Sequence, residues 1–382
     1  MSTVDFHALR SRFPLLDERL YFASQCLGPM PRAMLDDLDA YRRSLFLRKR
    51  ALVGYVERML ELTEMIERLI NAPPGSVCLR DSATAAQAAI ASSIAPEGER
   101  RRVIVSNQAF HSTRYLWKAQ AARGFEVQEI VPAEGAVVST EQYVAAIDGT
   151  TRVVEAALVS SRSGALLDAR AVIGAARAAS ALTIIDAYQA VGVVPIDVQA
   201  LDVDVLVGGS HKWLGGGGMG LAFMYVRPSL AASLTPAYPG WVGHASLAGY
   251  AEEFTPAEGA KRFQQGTPSM EPIYTARAGI ALALEIGVAP IRARSLALTG
   301  RMIDRALARG LAVRTPRRDE ARGGMICVDA PGGEAVVEAL EARGIDIDYR
   351  PGAGLRIAPH FCHREDECDR VIDVLAETPG AR

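Results

Sequence analysis

Lys212 stands between an apolar run and a glycine-rich segment, a position in which a lysine can do chemistry. Residues 204–209 before it and residues 221–226 after it each predict a short buried strand, and the glycines at 215–218 predict the connection between them. A lysine at such a strand end is partly desolvated, which lowers the pKa of its ammonium group. The neutral amine can then attack a carbonyl group and form a Schiff base.

Asp186 closes another apolar run, residues 182–186. A carboxylate there could pair with a pyridine nitrogen and keep it protonated, so that the ring accepts electrons from a substrate carbanion. Gln189, three residues later, could reach the phenolic oxygen of such a ring. The combination predicts pyridoxal phosphate (PLP) chemistry. A solvated loop lysine and an aspartate that caps a turn are the ordinary interpretations of each residue alone.

An apolar strand gives way to an alanine-rich helix near Asp81, and this junction predicts a phosphate site. Ala83 and Thr84 fall in the first turn of the helix, where free backbone N–H groups and the positive end of the helix dipole favour an anion. The alternative is an ordinary helix cap formed by Asp81 or Ser82.

Several further residues are candidates for cofactor or substrate contacts. Phe110 could stack on a flat ring and Ser112 or Thr113 could bind its polar rim, with a core aromatic and a helix cap as the alternatives. Trp241 lies in a loop rich in helix breakers, where its indole N–H offers a donor. Arg356 places a charge inside an apolar strand and needs a partner, which a substrate carboxylate or an internal Asp or Glu would supply equally well.

Short strands alternate with helical segments from residue 77 to residue 226, a pattern typical of a mostly parallel sheet covered by helices. Ligands in such sheets bind at the carboxyl ends of the strands, where Asp186 and Lys212 both fall. Residues 33–70 are helical in pattern, with few breakers. Shorter strands near the C-terminus, among them residues 345–349, indicate a second α/β unit. We therefore expect an α/β fold with an N-terminal arm and helix (1–50), a large domain (51–280) and a small C-terminal α/β domain (281–382).

The composition favours a protein that acts on small molecules. The chain has 382 residues and a formal net charge of −2, which allows a large core and gives no charge excess to attract nucleic acid or a membrane surface. The five cysteines show no CxxC pair and no metal-like spacing with histidine. They predict reduced thiols in a cytoplasmic protein without a metal site. The N-terminal pattern predicts no export signal, and no stretch predicts a membrane span.

In their order along the chain, these residues resemble the class V aminotransferase family of fold-type-I PLP enzymes, and within it the kynureninase branch. The likeness runs through segments 21–31, 81–84, 110–115, 162–164, 186–192, 210–212, 240–244, 266–267 and 349–359. It implies a large PLP-binding domain with a mostly parallel seven-stranded sheet covered by helices, plus a smaller α/β terminal domain. It also implies a homodimer with shared active sites and an amino-acid substrate.

The resemblance gives each candidate residue a role. Lys212, Asp186 and His211 are the expected catalytic residues, with PLP attached at Lys212 and its ring nitrogen paired with Asp186. Arg356 is expected to hold the substrate α-carboxylate, and Thr267 to reach the phosphate of the neighbouring subunit. The other expected cofactor contacts are Ala83, Thr84, Phe110, Ser112, Gln189, Ser210, His211 and Trp241. The other expected substrate contacts are Cys26, Leu27 and Gly28.

Two positions differ from the kynureninase pattern and resemble the cysteine desulfurase branch. His211 stands where kynureninases have tyrosine, and Gln189 where they usually have histidine. A desulfurase needs a nucleophilic cysteine on a mobile loop, whereas Cys327 lies in an apolar run that predicts a buried strand. We therefore expect kynureninase-like Cβ–Cγ hydrolysis or β-elimination on a small amino acid, with class V transamination as the alternative. A desulfurase-type enzyme or a non-catalytic protein of this fold is expected less.

Overall fold

The computed structural model describes residues 4–133, 135–247, 249 and 251–381. Residues 1–3, which begin the segment that was predicted to hold no export signal, lie outside the described residues. The β-strands are β1 (Leu20–Tyr21), β2 (Val77–Arg80), β3 (Arg102–Ser106), β4 (Glu126–Ile130), β5 (Thr151–Ala157), β6 (Leu182–Asp186), β7 (Val205–Gly209), β8 (Ala222–Val226), β9 (Ile326–Val328), β10 (Ile345–Asp346), β11 (Asp348–Arg350) and β12 (Gly354–Ile357). The α-helices are α1 (Phe6–Leu9), α2 (Leu15–Glu18), α3 (Met34–Leu47), α4 (Ala51–Leu69), α5 (Ala83–Ser93), α6 (His111–Ala119), α7 (Thr140–Ala146), α8 (Ala169–Ala178), α9 (Val198–Leu201), α10 (Pro228–Ser233), α11 (Met270–Ile286), α12 (Val288–Ala308), α13 (Glu334–Glu341) and α14 (Glu365–Glu377).

The large sheet has seven strands in the order β2-β8-β7-β6-β5-β3-β4. Only β8 runs antiparallel to its neighbours in this sheet, and every other adjacent pair is parallel. Strands β2, β7 and β8 are buried along their whole length, as expected where helices cover both faces. The structure confirms the expected α/β fold with a mostly parallel seven-stranded sheet.

Side chains alternate between the two faces of this sheet and enter two apolar layers. Val154, Ile185 and Leu206 belong to the larger core, and their sequence neighbours Val153 and Ile184 belong to the other layer, against α5 and α6. The sheet is therefore a rigid, two-sided support. Its parallel strands bring the loops that follow β5, β6 and β7 to one edge.

A second core lies near the C-terminus, around the antiparallel sheet β11-β12-β9. The N-terminal arm joins this unit: β1 pairs with β10 in parallel, and Phe22 is buried in the same core. Arg19 Nε lies 2.6 Å from an Asp346 carboxylate oxygen and holds the two segments together. The domain limits at residues 50 and 280 stay predictions.

Residues 33–70 are helical, as expected, but form two α-helices, α3 and α4, separated by a short 3-10 turn (Arg48–Arg50) in which Arg48 has a φ of 52°. The break lets both helices pack on α11. The prediction of one strand over residues 345–349 was wrong: two strands form there, because β10 pairs with β1 whereas β11 pairs with β12. Among the described residues, no helix combines the length and the apolar character needed to cross a membrane.

Candidate active site

A cavity of about 310 Å³ opens at the carboxyl ends of β5, β6 and β7. Its volume is in the range of small-molecule sites. The residues that line it are Ser82, Ala83, Thr84, Phe110, Ser112, Thr113, Ala157, Val159, Ser161, Asp186, Tyr188, Gln189, His211 and Lys212. Eight of the residues expected from the sequence meet here: Ala83, Thr84, Phe110, Ser112, Asp186, Gln189, His211 and Lys212.

Lys212 lies in the turn that follows β7, and close backbone packing fixes that turn. Gly28 of the N-terminal arm donates its N–H to His211 O over 2.9 Å, and a Cβ atom on Gly28 would lie 1.9 Å from Lys212 O. Gly216 has a φ of 70°, which favours glycine, and a Cβ there would lie 2.1 Å from Gly28 O. The glycines therefore let the arm lie directly on the lysine turn.

Charge and burial adjust the two principal groups in opposite ways. Burial lowers the pKa of Lys212 to about 8; the Asp186 carboxylate opposes this shift and Arg356 adds to it. Burial also raises the pKa of Asp186, whereas the Tyr188 N–H, 2.8 Å from Asp186 Oδ1, and the Lys212 ammonium lower it. A substantial fraction of Lys212 is therefore a neutral amine near pH 8, which is the form that attacks a carbonyl.

Tyr188 was missed in the sequence, and it lies in the cavity beside both catalytic candidates. Its hydroxyl is 3.2 Å from His211 Nδ1 and 3.3 Å from Leu221 O, and Lys212 Nζ is 4.9 Å from the centre of its ring. Gly209 makes room for this ring, because a Cβ there would lie 2.1 Å from it. Burial lowers the pKa of His211 to about 4, so the imidazole is neutral at neutral pH.

The opposite end of the cavity is formed by the start of α5. Ser82 caps this helix by accepting a hydrogen bond from Ala85 N over 3.1 Å. Ala83 and Thr84 in the first turn line the cavity, so the helix cap and the anion site are compatible with each other. Phe110 lines the cavity while 56% of its surface is exposed, a position that leaves its ring face open to a flat ligand.

Two expected cofactor contacts serve to hold the site together. Gln189 donates to Gln25 O over 3.0 Å and accepts from Trp213 Nε1 over 3.2 Å, which ties the arm to the end of β6. Ser210 is buried and donates to Gly217 O over 2.8 Å, within the glycine loop. Their hydrogen bonds brace the lysine turn from two sides.

Arg356 pairs with an internal carboxylate, one of the two partners that the sequence allowed. Its Nε donates to Asp348 Oδ1 over 2.8 Å, and its Nη1 donates to Ser161 O over 3.0 Å at the cavity wall. Cys26 raises the pKa of Lys212, but Cys26, Leu27 and Gly28 are not among the residues that line the cavity, so the substrate contacts expected of them stay predictions. Leu27, which is exposed, accepts a hydrogen bond from the Tyr21 hydroxyl over 2.7 Å.

Trp241 and Thr267 lie apart from the cavity within this chain. Trp241 is 51% exposed and donates its indole N–H to Leu247 O over 3.0 Å. Thr267 is exposed in a small cleft that it shares with Met59 of α4 and Asp81. Neither residue joins Lys212 within one chain, so the cofactor contacts expected of them stay predictions.

The chain is similar to known families and proteins. The sequence model of the class-V aminotransferases matches residues 43–363. The chain belongs to this family. An uncharacterized aminotransferase of Bacillus subtilis (strain 168), YcbU, is 28% identical over 96% of this chain and 96% of its own length. Kynureninase of Pseudomonas fluorescens is 27% identical over 90% of this chain and 84% of its own length.

Solved structures share the fold. The apo cysteine desulfurase of Thermococcus onnurineus NA1 has a TM-score of 0.86 at 17% identity, covering 99% of both chains. A lysine-to-alanine variant of C-DES, with glycine covalently linked to its PLP cofactor, has a TM-score of 0.86 at 19% identity, covering 96% of this chain and 99% of its own. Fold type I is thereby confirmed.

Pyridoxal phosphate is the cofactor of this family member, and the described residues fit it. A helix N-terminus suits the phosphate, an exposed aromatic suits the ring face, and a carboxylate and an amine with a lowered pKa suit the ring nitrogen and the aldehyde. The protein is a PLP-dependent enzyme.

Proposed function

We propose that this enzyme cleaves a bond at the β-carbon of a small amino acid, as kynureninases do. The observation that carries the proposal is the Tyr188 hydroxyl, 3.2 Å from His211 Nδ1 and next to Lys212. Kynureninases resemble this chain but have tyrosine at the position of His211. The Tyr188 phenol supplies the same chemical group from a neighbouring strand end. Proton transfer at a cleaved ketone needs such a donor.

The principal groups around the cavity each have a role in this proposal. The α5 N-terminus and Thr84 hold the phosphate, Phe110 covers one ring face, and Asp186 holds the proton on the ring nitrogen. Bound PLP supplies an electron sink that stabilises negative charge at the substrate α-carbon. Lys212 Nζ takes the proton from this carbon and returns it, a role that suits an amine whose pKa is lowered to about 8.

Arg356 is proposed to hold the substrate carboxylate with the N–H groups that its present partners leave free. It is not itself among the residues that line the cavity, but its Nη1 donates to the backbone of Ser161, which is, and Asp348 pairs with both its Nε and its Nη2. A carboxylate that enters there meets a guanidinium oriented in advance, which reduces the entropy lost on binding.

Transamination is the second candidate, and one finding favours it. The relative YcbU, which matches almost the whole chain, is named as an aminotransferase. The residues required for α-proton removal, Lys212 and Asp186, serve both reactions. The two reactions differ in where the proton returns and in whether the β-carbon bond breaks.

A persulfide reaction at Cys327 receives no support from the geometry. Cys327 is fully buried in β9, and burial raises the pKa of its thiol to about 12. A sulfur acceptor must be a reachable thiolate. We therefore do not propose cysteine desulfurase activity for this chain.

Product analysis of the PLP-loaded enzyme tests the proposal. The purified protein is incubated with kynurenine, 3-hydroxykynurenine, alanine plus pyruvate, and cysteine, and the products are separated and identified. Alanine and the corresponding anthranilate from a kynurenine are expected. Amino-group transfer without carbon–carbon or β-substituent cleavage would instead select transamination. A Lys212→Ala variant controls for reactions of free PLP.

A further inference from the structure

Glu155 is a fully buried carboxyl group that lies beneath the cavity and has no role in the chemistry above. It lies on β5, two residues before Ala157, and Ala157 pairs with Asp186 in the sheet register. Alternation along the strand therefore places Glu155 on the same face of the sheet as Asp186. Both of its carboxyl oxygens lack a hydrogen-bond partner among the described residues.

A second unsatisfied atom lies next to it. Gln87 of α5 is fully buried, and its Nε2 donates to Thr113 Oγ1 of α6 over 3.2 Å. The Gln87 Oε1 atom has no partner in the described part of the chain. Gln87 also acts on the pKa of the Glu155 carboxyl group, and Thr113 lines the PLP cavity. A line of three polar side chains thus runs from Glu155 to the cavity wall.

The protonation state of Glu155 decides whether these atoms are satisfied. Burial raises the pKa of Glu155 well above its usual value, the Asp186 carboxylate raises it further, and the Gln87 amide opposes the shift. Two neighbouring buried carboxyl groups do not both ionise readily. Asp186 also has the Tyr188 N–H and the Lys212 ammonium to favour its charge, and Glu155 has neither. A neutral carboxyl group has one O–H donor, and Gln87 Oε1 is an acceptor that lacks a donor.

We propose that Glu155 is a neutral carboxylic acid that donates its proton to Gln87 Oε1 and so positions the Thr113 hydroxyl at the cavity. This protonation state sets the direction of the hydrogen bonds. Gln87 accepts a hydrogen bond at Oε1 and donates one from Nε2 to Thr113 Oγ1. The hydroxyl hydrogen of Thr113 is left for an acceptor in the cavity.

An ionised Glu155 would reverse this direction, because it would attract the Gln87 N–H groups and leave Oε1 to receive the Thr113 hydrogen. The neutral state also leaves Asp186 as the anion on this side of the ring. The other titratable group that bears on Glu155 is Tyr143 of α7, whose pKa is raised by burial and by Glu155. The positioning role rests on the proposed function, whereas the protonation state does not.

Infrared spectroscopy of the full-length protein tests the protonation state, with PLP bound and after its removal. At pH 7 the wild-type protein is expected to show the carbonyl band of a protonated carboxylic acid, and Glu155→Gln is expected to abolish that band. Asp186→Asn should keep the band, because burial, the larger cause of the raised pKa of Glu155, is unchanged in that variant. An identical spectrum for wild type and Glu155→Gln would overturn the proposal, whether or not the protein binds PLP.

The pH dependence of stability gives an independent check. A carboxyl group whose pKa is raised in the folded state binds its proton more tightly there, so its contribution to stability is lost as pH rises above the unfolded value. The Glu155→Gln variant has no carboxyl group to lose this proton. The melting temperature of the variant minus that of the wild type is therefore expected to increase by about 2 °C or more from pH 5 to pH 8. A difference that stays constant with pH would show that Glu155 is not a buried acid with a raised pKa.

The positioning role is tested by comparing two variants of similar size. Glu155→Gln keeps a donor for Gln87 Oε1, and Glu155→Met does not. Glu155→Met is expected to shift the visible absorption band of bound PLP and to lower turnover about tenfold. Thr113→Val should shift the band in the same direction, and Glu155→Gln should keep the wild-type spectrum. The positioning role would be refuted if Glu155→Met left the absorption band of PLP unshifted. It would also be refuted if Glu155→Gln shifted the band as much as Glu155→Met does. A wild-type protein that binds no PLP would refute the assignment of the site instead.

Discussion

Lys212 combines a lowered pKa with a fixed backbone, and its chemistry is the first thing to test. The chain's other lysines are Lys49, Lys118 and Lys261. Borohydride reduction of the PLP-loaded protein, followed by peptide mass spectrometry, is expected to place the adduct on Lys212, whose neutral amine is abundant near its pKa of about 8. Lys118, which pairs with Glu129 at 3.1 Å, is the internal control for non-specific modification. An adduct on another lysine would disprove the assignment.

Asp186 controls both the lysine and the ring. Its carboxylate raises the pKa of Lys212, so Asp186→Asn should lower that pKa and move the midpoint of PLP capture to lower pH. The same variant removes the charge that holds the ring nitrogen protonated, and turnover should fall by a factor that reflects a lost charge-assisted bond of about 1.5–3 kcal/mol or more. Stopped-flow capture across pH 6–9 and steady-state kinetics measure the two effects. An unchanged kcat would mean that a different acidic group keeps the ring nitrogen protonated.

Tyr188 and His211 form the pair on which the proposed reaction depends. Tyr188→Phe keeps the ring but removes the hydroxyl, and should lower kcat by about 10²-fold or more if the phenol transfers a proton. His211 should not titrate between pH 5.5 and 8, because burial lowers the pKa of its imidazole to about 4. Tyr115→Phe, on an exposed side chain of α6, is the matched control. Equal kcat for Tyr188→Phe and wild type would remove the phenol from the mechanism.

At the scale of elements, the arm and the glycine loop form one unit. Gly28→Ala would bring a Cβ atom to 1.9 Å from Lys212 O, so the backbone must shift. Overpacking of this kind costs about 1–3 kcal/mol, and it should lower both the melting temperature and the affinity for PLP. Gly149→Ala, which meets no atom within 4 Å, is the control. A Gly28→Ala protein with normal PLP affinity would show that the arm is not needed to hold the lysine turn.

The elements that could be predicted from sequence are those with a local signal. The strands that end at Asp186 and before Lys212 are short apolar runs with polar closing residues, and the structure places them as expected. The turn at Arg48 has no glycine or proline, so only the packing of α3 and α4 on α11 reveals it. Tyr188 was equally hidden, because its role depends on the space that Gly209 provides across the sheet.

The network beneath the cavity shows the same limit. Glu155 in an apolar strand is visible in the sequence as an unusual charge. Its partners Gln87 and Thr113 lie on two different helices, and no spacing in the chain connects them. Long-range polar contacts such as these, and the pairing of Arg356 with Asp348, require the assembled fold.

At the scale of the whole molecule, the expected homodimer needs an apolar face on which a second copy can bind. Phe46, Val53 and Leu60 on and around α3 and α4 are 81%, 68% and 58% exposed and are the candidates for that face. Thr267 lies near α4, in the cleft that it shares with Met59. We expect Val53→Asp to yield monomers, measured by light scattering, and to have little activity. Val131→Asp, at another exposed apolar position after the edge strand β4, should keep the wild-type mass and the wild-type activity.

Shared sites make a further prediction that a dimer with separate sites does not. If each cavity uses its own Lys212 and Thr267 of the partner subunit, then Lys212→Ala and Thr267→Ala dimers are each inactive but together form heterodimers with one intact site. Random exchange produces heterodimers as half of all dimers, so activity should recover to about a quarter of wild type. Mass spectrometry of differently tagged subunits must confirm the exchange. If subunit exchange is confirmed but no activity returns, Thr267 does not contribute to the cavity of the partner subunit. Contact with the phosphate across the interface would then not explain why Thr267 is exposed.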